Sequence, residues 1–456
     1  MNNLQLYNNS QPIINEKYEE IGIIIKVENE IENKNYNFNN NTNNNNSNNI
    51  IKDNNGILMD DNNYEPNKIN DNNYSINESE YNLDYNTDSP FIKSNFIYPP
   101  LIGLQNIGSI CYMNSILQCF CYIEKFVNFF KYNKQPIQIV KQDKNNLSSS
   151  FKLLIEKLWP NNLNLNNSDN KKYYSPNEFK DKLSKMNPLF KDKAANDAKE
   201  LVNFIIMTLH KELNKVKKSE RINNNINYDQ RNSQIMFNNF ANNFMLENQS
   251  IISDLFYGIN CYITQCDECL VQRFNYQSYI FLIFPLEDVY KFKLSNQMNF
   301  NNNCFNNNLV NIYDCFDFNR KIYSMTGENS MYCNYCKKTC NCSMCTVLTI
   351  GPEILILLLG REKGNEFNVK INFIEYLNLS NYIQYANTGC NYKLIGVITH
   401  NGERNMGGNF IAFCLDPIST NIWYKYDDDT VTQVNNFQNE VIDNTIPYLL
   451  FYQKIK

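Results

Sequence analysis

The hydrophobic pattern changes its period part-way along the chain, and this change limits the possible folds. From Cys111 onward, apolar residues recur every three or four positions, which predicts a helix with one buried face: Met113, Ile116, Leu117, Phe120, Ile123, Val127 and Phe130. A second helix is predicted over roughly 194–213. Beyond about residue 255 the pattern predicts strands over 279–284, 354–359, 392–398, 410–415, 422–426 and 448–452. Helices followed by strands predict an α+β fold with a mainly antiparallel sheet.

The N-terminal part has a different composition. Between positions 39 and 49 all but two residues are asparagine. Such a polar tract cannot bury enough apolar surface to offset the entropy lost on ordering. We therefore predict an Asn-rich disordered tail over 1–97 and one folded domain over 98–456. Asn-rich surface insertions are expected in this domain near 220–245 and 296–310.

Charge and cysteine content exclude several classes of function. Lys plus Arg is 42 and Asp plus Glu is 47, so the net charge is -5 and no basic surface for nucleic acid is expected. No apolar run approaches the length of about 20 residues that spans a bilayer, and no secretory signal is visible. We expect no membrane partner and a location in the cytoplasm and/or nucleus. The 15 cysteines are then reduced, and they serve as metal ligands, as a nucleophile or as buried packing residues.

Four cysteines have the spacing of a zinc site. They form two Cys-x-x-Cys turns: Cys266, Cys269, Cys333 and Cys336. Two such turns supply four thiolates to one tetrahedral, structural Zn²⁺ per chain. A competing turn, Cys342-x-x-Cys345, follows Cys340. The alternative is a zinc-free region with reduced cysteines.

Cys111 is the candidate nucleophile. Gly103 and Gly108 bracket a turn that brings this cysteine to a helix N-terminus. The helix dipole there favours thiolate and is expected to lower the thiol pKa. Asn106, five residues earlier, can direct its amide at an oxyanion beside the sulfur. On residue type alone, a cysteine at a helix start is more often a small packed residue.

The whole string from Gly103 to Gln118 closely resembles the Cys box of the ubiquitin-specific proteases, a family of deubiquitinating cysteine proteases. Further segments resemble family blocks in the family's order: 175–179, 197–213, 254–269, 327–336, 352–361, 392–402, 407–413, 423–431 and 448–452. The resemblance covers about 97–456. It implies a papain-like thumb–palm–fingers fold, a zinc-binding fingers region and a surface that binds ubiquitin or ubiquitinated proteins.

One position departs from the family pattern. The family's catalytic histidine lies in a Gly-His-Tyr string, and the matching string here is Gly-Gly-Asn409-Phe. The resemblance implies that Asp427 is the orienting acid and that Asp428 is its auxiliary neighbour. His400 matches a different family position, before a loop. It is a possible substitute base for Cys111.

These residues support two main hypotheses. An asparagine amide does not accept a proton at neutral pH, so the first is a ubiquitin-recognising protein with impaired or absent deubiquitination. The alternative is an active deubiquitinase that hydrolyses isopeptide bonds at the ubiquitin C-terminus through Cys111. A third class, a zinc scaffold without ubiquitin contact, is less favoured because the Cys box is intact around Cys111.

Overall fold

The computed structural model describes residues 101–132, 146–160, 172–191, 198–216, 230–298, 309–360, 369–385, 389–401, 408–419 and 421–455. The predicted tail over 1–97 lies outside these residues. So do 299–308 within one predicted insertion. The other predicted insertion, near 220–245, includes a described helix that begins at Ser233.

Most helices precede the strands. They are α1 (Cys111–Cys121), α2 (Glu124–Tyr132), α3 (Leu147–Leu158), α4 (Asn177–Met186), α5 (Ala198–Leu213), α6 (Ser233–Glu247), α7 (Ile251–Phe256), α8 (Leu286–Met298) and α9 (Ile312–Asn319). The prediction of a single helix from Cys111 is wrong, because two helices, α1 and α2, form there. Trp159 Nε1 donates to the carbonyl of Cys121 at 2.8 Å. That carbonyl is therefore engaged outside the helix, and the chain turns before the apolar pattern continues in α2.

The strands in chain order are β1 (Gly103–Leu104), β2 (Tyr173–Tyr174), β3 (Gly258–Cys266), β4 (Gln272–Tyr279), β5 (Phe281–Pro285), β6 (Leu309–Asn311), β7 (Tyr323–Met325), β8 (Met331–Cys333), β9 (Lys338–Cys340), β10 (Cys342–Ile350), β11 (Ile354–Gly360), β12 (Lys370–Asn372), β13 (Tyr376–Asn378), β14 (Asn391–Asn401), β15 (Asn409–Leu415), β16 (Trp423–Asp427), β17 (Thr430–Val434) and β18 (Pro447–Ile455).

The largest sheet has eight strands in the order β17-β16-β15-β14-β18-β11-β5, with β13 beside β14. Its pairs are antiparallel except for the parallel pair of β5 and β11. The α+β prediction with a mainly antiparallel sheet is therefore confirmed. The strand predicted over 279–284 is divided between the end of β4 and β5.

A second sheet has four strands in the order β4-β3-β10-β7. Its two long strands pair from Cys266 opposite Cys342 at one end to Ile259 opposite Ile350 at the other. Strands β8 and β9 precede β10 in the chain and form a separate hairpin.

Helix α1 is buried along its whole length, and its packing fixes the position of its N-terminus. The ring of Phe120 lies 5.8 Å from that of Phe256 and 6.0 Å from that of Phe451 on β18. Cys119 Sγ lies 3.9 Å from Cys414 Sγ on β15. Burial of one such aromatic side chain contributes about 1.5–3 kcal/mol. These contacts hold the first residue of α1 near the beginning of β15.

No helix among the described residues has the length and apolar character needed to cross a membrane.

The N-terminus of α3 is capped by a residue from another helix. Glu212 on α5 accepts hydrogen bonds from the backbone N–H groups of Leu147 and Ser148 at 2.9 and 2.8 Å. We expect Glu212→Ala to lower the free energy of unfolding by about 1–2 kcal/mol, because two helix N–H groups lose their acceptor. Urea denaturation measures this. Lys211→Ala, an exposed change on the same helix, is the control, and an equal loss in both variants would contradict the capping role.

Candidate functional site

The turn before α1 is built around one asparagine. Gly108 (φ 136°) and Ser109 (φ 48°) both have left-handed backbone conformations. Asn106 Oδ1 accepts from the backbone N–H groups of Gly108 at 3.2 Å and Ile110 at 3.1 Å. This side chain thus satisfies donors that the helix start leaves unpaired. It places Cys111 as the first residue of α1.

The sulfur of Cys111 faces the start of β15. Its Sγ lies 4.0 Å from the carbonyl oxygen of Gly408, and the residue is only 5% exposed. Burial raises the pKa of the Cys111 thiol above its ordinary value, the negative charge of Asp428 raises this pKa further, and a backbone hydrogen bond from Phe410 opposes both effects. The prediction that this pKa is lowered is therefore wrong, because burial, which raises it, is the largest effect.

Asn409 and Asp427 lie together as the sequence predicts. Asn409 Nδ2 donates to Asp427 Oδ1 at 2.6 Å across neighbouring strands. The other carboxylate oxygen of Asp427 lies 3.3 Å from Lys425 Nζ. Asp427 is thus a half-buried acceptor directed at the side chain of residue 409.

Asp428 ties the α1 turn to the large sheet. Its carboxylate accepts from Asn106 Nδ2 at 2.9 Å and from Asn114 Nδ2 at 2.8 Å. Its carbonyl oxygen accepts from the N–H of Leu104 at 2.8 Å. Burial raises the pKa of the Asp428 carboxyl, while the two asparagine amides lower it. The predicted oxyanion donor, Asn106, therefore directs one N–H at Asp428 and keeps a second N–H on the same nitrogen.

Gly103 permits the close approach of β1 to the turn that carries Asp428. A Cβ atom at this position would lie 2.4 Å from the backbone oxygen of Asp429, closer than any non-bonded contact allows. Only glycine lets β1 pass against the turn that carries Asp428.

The structure does not bring His400 to this group. On β14, His400 pairs with Phe410 and Asn401 pairs with Asn409, and successive side chains of a strand point to opposite faces. The His400 ring accordingly lies 4.7 Å from the ring of Phe410. Its side chain is on the face of the sheet opposite to Asn409.

A second group of residues lies where β3 meets the β8–β9 hairpin. We call the following five residues the cysteine cluster: Cys266, Cys269, Cys333, Cys336 and Cys340. Four of its members have sulfurs that lie within 4.8 Å of one another and could bind a metal ion: Cys266, Cys333, Cys336 and Cys340. Cys269 Sγ lies 3.8 Å from Cys333 Sγ, and Cys266 Sγ lies 4.0 Å from Cys336 Sγ.

The competing turn predicted from sequence does not belong to this cluster. The metal-ligand group found among the described residues includes neither Cys342 nor Cys345. Cys342 Sγ instead donates to the carbonyl of Cys340 at 3.6 Å. Cys345 pairs with Ile263 further along β10.

Sequence reasoning gave no role to Asn114, and it set Cys340 aside with the competing turn. Asn114 lies inside the Cys box string, on a helix whose apolar residues predict burial, and a polar residue there could have indicated a buried hydrogen-bond partner. Cys340 follows Cys336 by four residues, which lies within the usual spacing of zinc ligands, and this spacing could have indicated a further ligand.

The raised pKa of Cys111 predicts its reactivity. We expect alkylation of Cys111 by iodoacetamide to be slow at pH 7 and to rise about tenfold per pH unit without levelling below pH 9, because only the thiolate reacts. Asp428→Asn removes a negative charge and should shift this profile to lower pH. Peptide-resolved mass spectrometry measures the rate, with glutathione as the reference thiol. A plateau below pH 8 in the unmodified chain would contradict the prediction.

Comparisons with known proteins identify the family of the chain. The family model described as "Ubiquitin carboxyl-terminal hydrolase" matches residues 102–452. The chain is 27% identical over 380 residues to ubiquitin carboxyl-terminal hydrolase 2 of Gallus gallus, covering 80% of this chain and 96% of that protein. It is 24% identical to ubiquitin carboxyl-terminal hydrolase Usp2 of Drosophila melanogaster, covering 78% of this chain but only 35% of that protein.

Solved structures share the fold. A chain of the SAGA DUB module of Ubp8, Sgf11, Sus1 and Sgf73 bound to monoubiquitin has a TM-score of 0.57 at 22% identity, covering 78% of this chain and 70% of that chain. The same module bound to ubiquitin aldehyde gives a TM-score of 0.54. The family match spans more than half of the chain, and the chain therefore belongs to the ubiquitin carboxyl-terminal hydrolase family, among its ubiquitin-specific proteases.

Proposed function

We propose that this chain binds ubiquitin or ubiquitinated proteins and hydrolyses the bond after the ubiquitin C-terminus poorly or not at all. The observation that carries the proposal is the 2.6 Å contact between Asn409 Nδ2 and Asp427 Oδ1, next to the residue whose carbonyl faces Cys111 Sγ. Asn409 stands where the family has its catalytic histidine, and it occupies that histidine's hydrogen bond to the acid.

The chemistry of this asparagine explains the expected loss of activity. In a working cysteine protease, an imidazole removes the proton from the nucleophile and then protonates the leaving amine. An amide can donate to Asp427, but it does neither of these at neutral pH. The raised pKa of Cys111 keeps the sulfur largely in its unreactive thiol form.

Ubiquitin as partner is supported by the relatives and neighbours. Curated relatives carry the name ubiquitin carboxyl-terminal hydrolase, and the similar solved structures are complexes with monoubiquitin or ubiquitin aldehyde. We extend this binding to the present chain. In the same proposal, the helical part, the eight-stranded sheet and the four-stranded sheet correspond to the thumb, palm and fingers of the papain-like family fold.

The cysteine cluster is proposed to hold one structural Zn²⁺. A tetrahedral site with Zn–S bonds of about 2.3 Å has sulfur–sulfur edges of about 3.8 Å. The observed separations of 3.8 Å for Cys269–Cys333 and 4.0 Å for Cys266–Cys336 fit that size. Cys266 ends β3 and Cys333 ends β8, so a bound ion would fasten the hairpin to the four-stranded sheet. With four thiolates it has no open position for catalysis.

Two measurements on the full chain test the proposed function. Calorimetry with ubiquitin should detect binding, and hydrolysis of a fluorogenic ubiquitin C-terminal amide should be close to background, with Cys111→Ala as the control. Ordinary rates that are lost in His400→Ala would establish His400 as the base and an active deubiquitinase. Absence of ubiquitin binding would favour a zinc scaffold instead.

A further inference from the structure

The cysteine cluster contains five thiols, one more than a tetrahedral metal ion can use. Four come from the two Cys-x-x-Cys turns, and the fifth is Cys340, the last residue of β9. Its sulfur lies within 4.8 Å of those of Cys266, Cys333 and Cys336. A buried cysteine by itself is ordinary packing, but three further sulfurs at this distance are not.

The two turns have the same local geometry. The N–H of Leu270 donates to the carbonyl of Cys266 at 2.9 Å, and the N–H of Lys337 donates to that of Cys333 at 2.8 Å. Both donors have a left-handed φ, 57° and 59°. This equivalence favours both cysteines of each turn as ligands, including Cys269.

Cys340 and Cys269 differ in burial. Cys340 is 2% exposed, whereas Cys269 is half-exposed at the rim. The β8–β9 pairing places Cys340 opposite Met331, so the hairpin that carries Cys333 and Cys336 also delivers the fifth thiol. Its side chain contacts those of Cys266 and Cys336.

We propose that three thiolates, those of Cys266, Cys333 and Cys336, hold the ion constantly, and that Cys269 and Cys340 exchange as the fourth ligand. This inference rests on the proposed metal site. In each exchange the incoming thiol gives its proton to solvent as its sulfur–metal bond forms. The outgoing thiolate takes a proton from solvent as its bond breaks. The ion stays divalent and four-coordinate, and no electron is transferred.

Cobalt(II) substitution in the full chain tests this exchange, because the absorption spectrum of cobalt reports the number of thiolate ligands. Cys269→Ser and Cys340→Ser should each keep a four-thiolate spectrum at about one equivalent of metal. Cys333→Ser and the double variant Cys269→Ser/Cys340→Ser should lose it. Cys342→Ser, a buried neighbour outside the cluster, should leave the spectrum unchanged. Circular dichroism of each variant checks that the rest of the chain remains folded.

The outcomes separate the two proposals. Loss of the four-thiolate spectrum in Cys269→Ser alone would make Cys340 a packing residue, and loss in Cys340→Ser alone would make it an obligatory ligand. Either result overturns the exchange while leaving the metal site in place. An unmodified chain that binds neither cobalt nor zinc would overturn the metal site itself.

Discussion

Replacing Asn409 with histidine is expected to raise the rate of ubiquitin C-terminal amide hydrolysis by on the order of 10³-fold or more. General acid–base catalysis supplies about 10²–10⁴, and loss of the histidine from a comparable catalytic unit costs on the order of 10⁶ in turnover. The acceptor for the new ring already exists, since Asp427 Oδ1 lies 2.6 Å from the present side-chain nitrogen. Steady-state fluorescence with the full chain measures the gain.

Matched variants make this result specific. Asp427→Ala in the Asn409→His background should remove much of the gain, because the imidazole loses the partner that fixes its tautomer. Asn372→His, an exposed change on β12, should give no gain. An Asn409→His variant that binds ubiquitin and remains inert would show that the substitution at 409 is not the main defect.

Removal of the proposed zinc ion is expected to release the β8–β9 hairpin. Structural zinc contributes about 10–16 kcal/mol of binding free energy in zinc-finger peptides, and much of that stabilisation would be lost locally. We expect amide hydrogen exchange over 331–340 to accelerate on the order of 100-fold or more after chelation. Exchange in α1 should stay unchanged, because α1 is held by aromatic contacts with Phe256 and Phe451.

Two results would contradict this prediction. Equal protection of the hairpin with and without chelator would mean that the cysteine cluster does not hold a stabilising ion. Loss of protection in α1 as well would mean that the ion stabilises the whole chain rather than one hairpin. Chelator added to the Cys333→Ser variant is the control, since that variant should already exchange rapidly in the hairpin.

The strands of the large sheet were predictable because their signal is local. Alternating or continuous apolar residues from 354 to 359 and from 410 to 415 predicted β11 and β15, and both strands form there. The division of the first helix was not predictable from the apolar spacing, and the contact at the break comes from Trp159, which lies 38 residues from the carbonyl that it binds. Local periodicity contains no information about such a contact.

The candidate active site was likewise predictable only in part. The proximity of Asn409 and Asp427 was expected because their sequence blocks resemble family blocks in the family's order, and the two side chains are in contact. The direction of the shift in the Cys111 pKa could not be predicted from the sequence, because a sequence reveals a helix start but not how deeply it is buried. Cys340 was set aside with Cys342 and Cys345, because the sequence does not show that the β8–β9 pairing brings it to Cys333 and Cys336.

The hydrogen bonds around Asp428 have a consequence for evolution. They join Asn106, Asn114 and Leu104 to one turn without using the side chain of residue 409. These bonds therefore do not depend on whether residue 409 is asparagine or histidine, and codons for the two differ by a single nucleotide. On the proposed function, one point mutation would then separate a ubiquitin-binding protein from a hydrolase, and both would keep the same hydrogen bonds around Asp428.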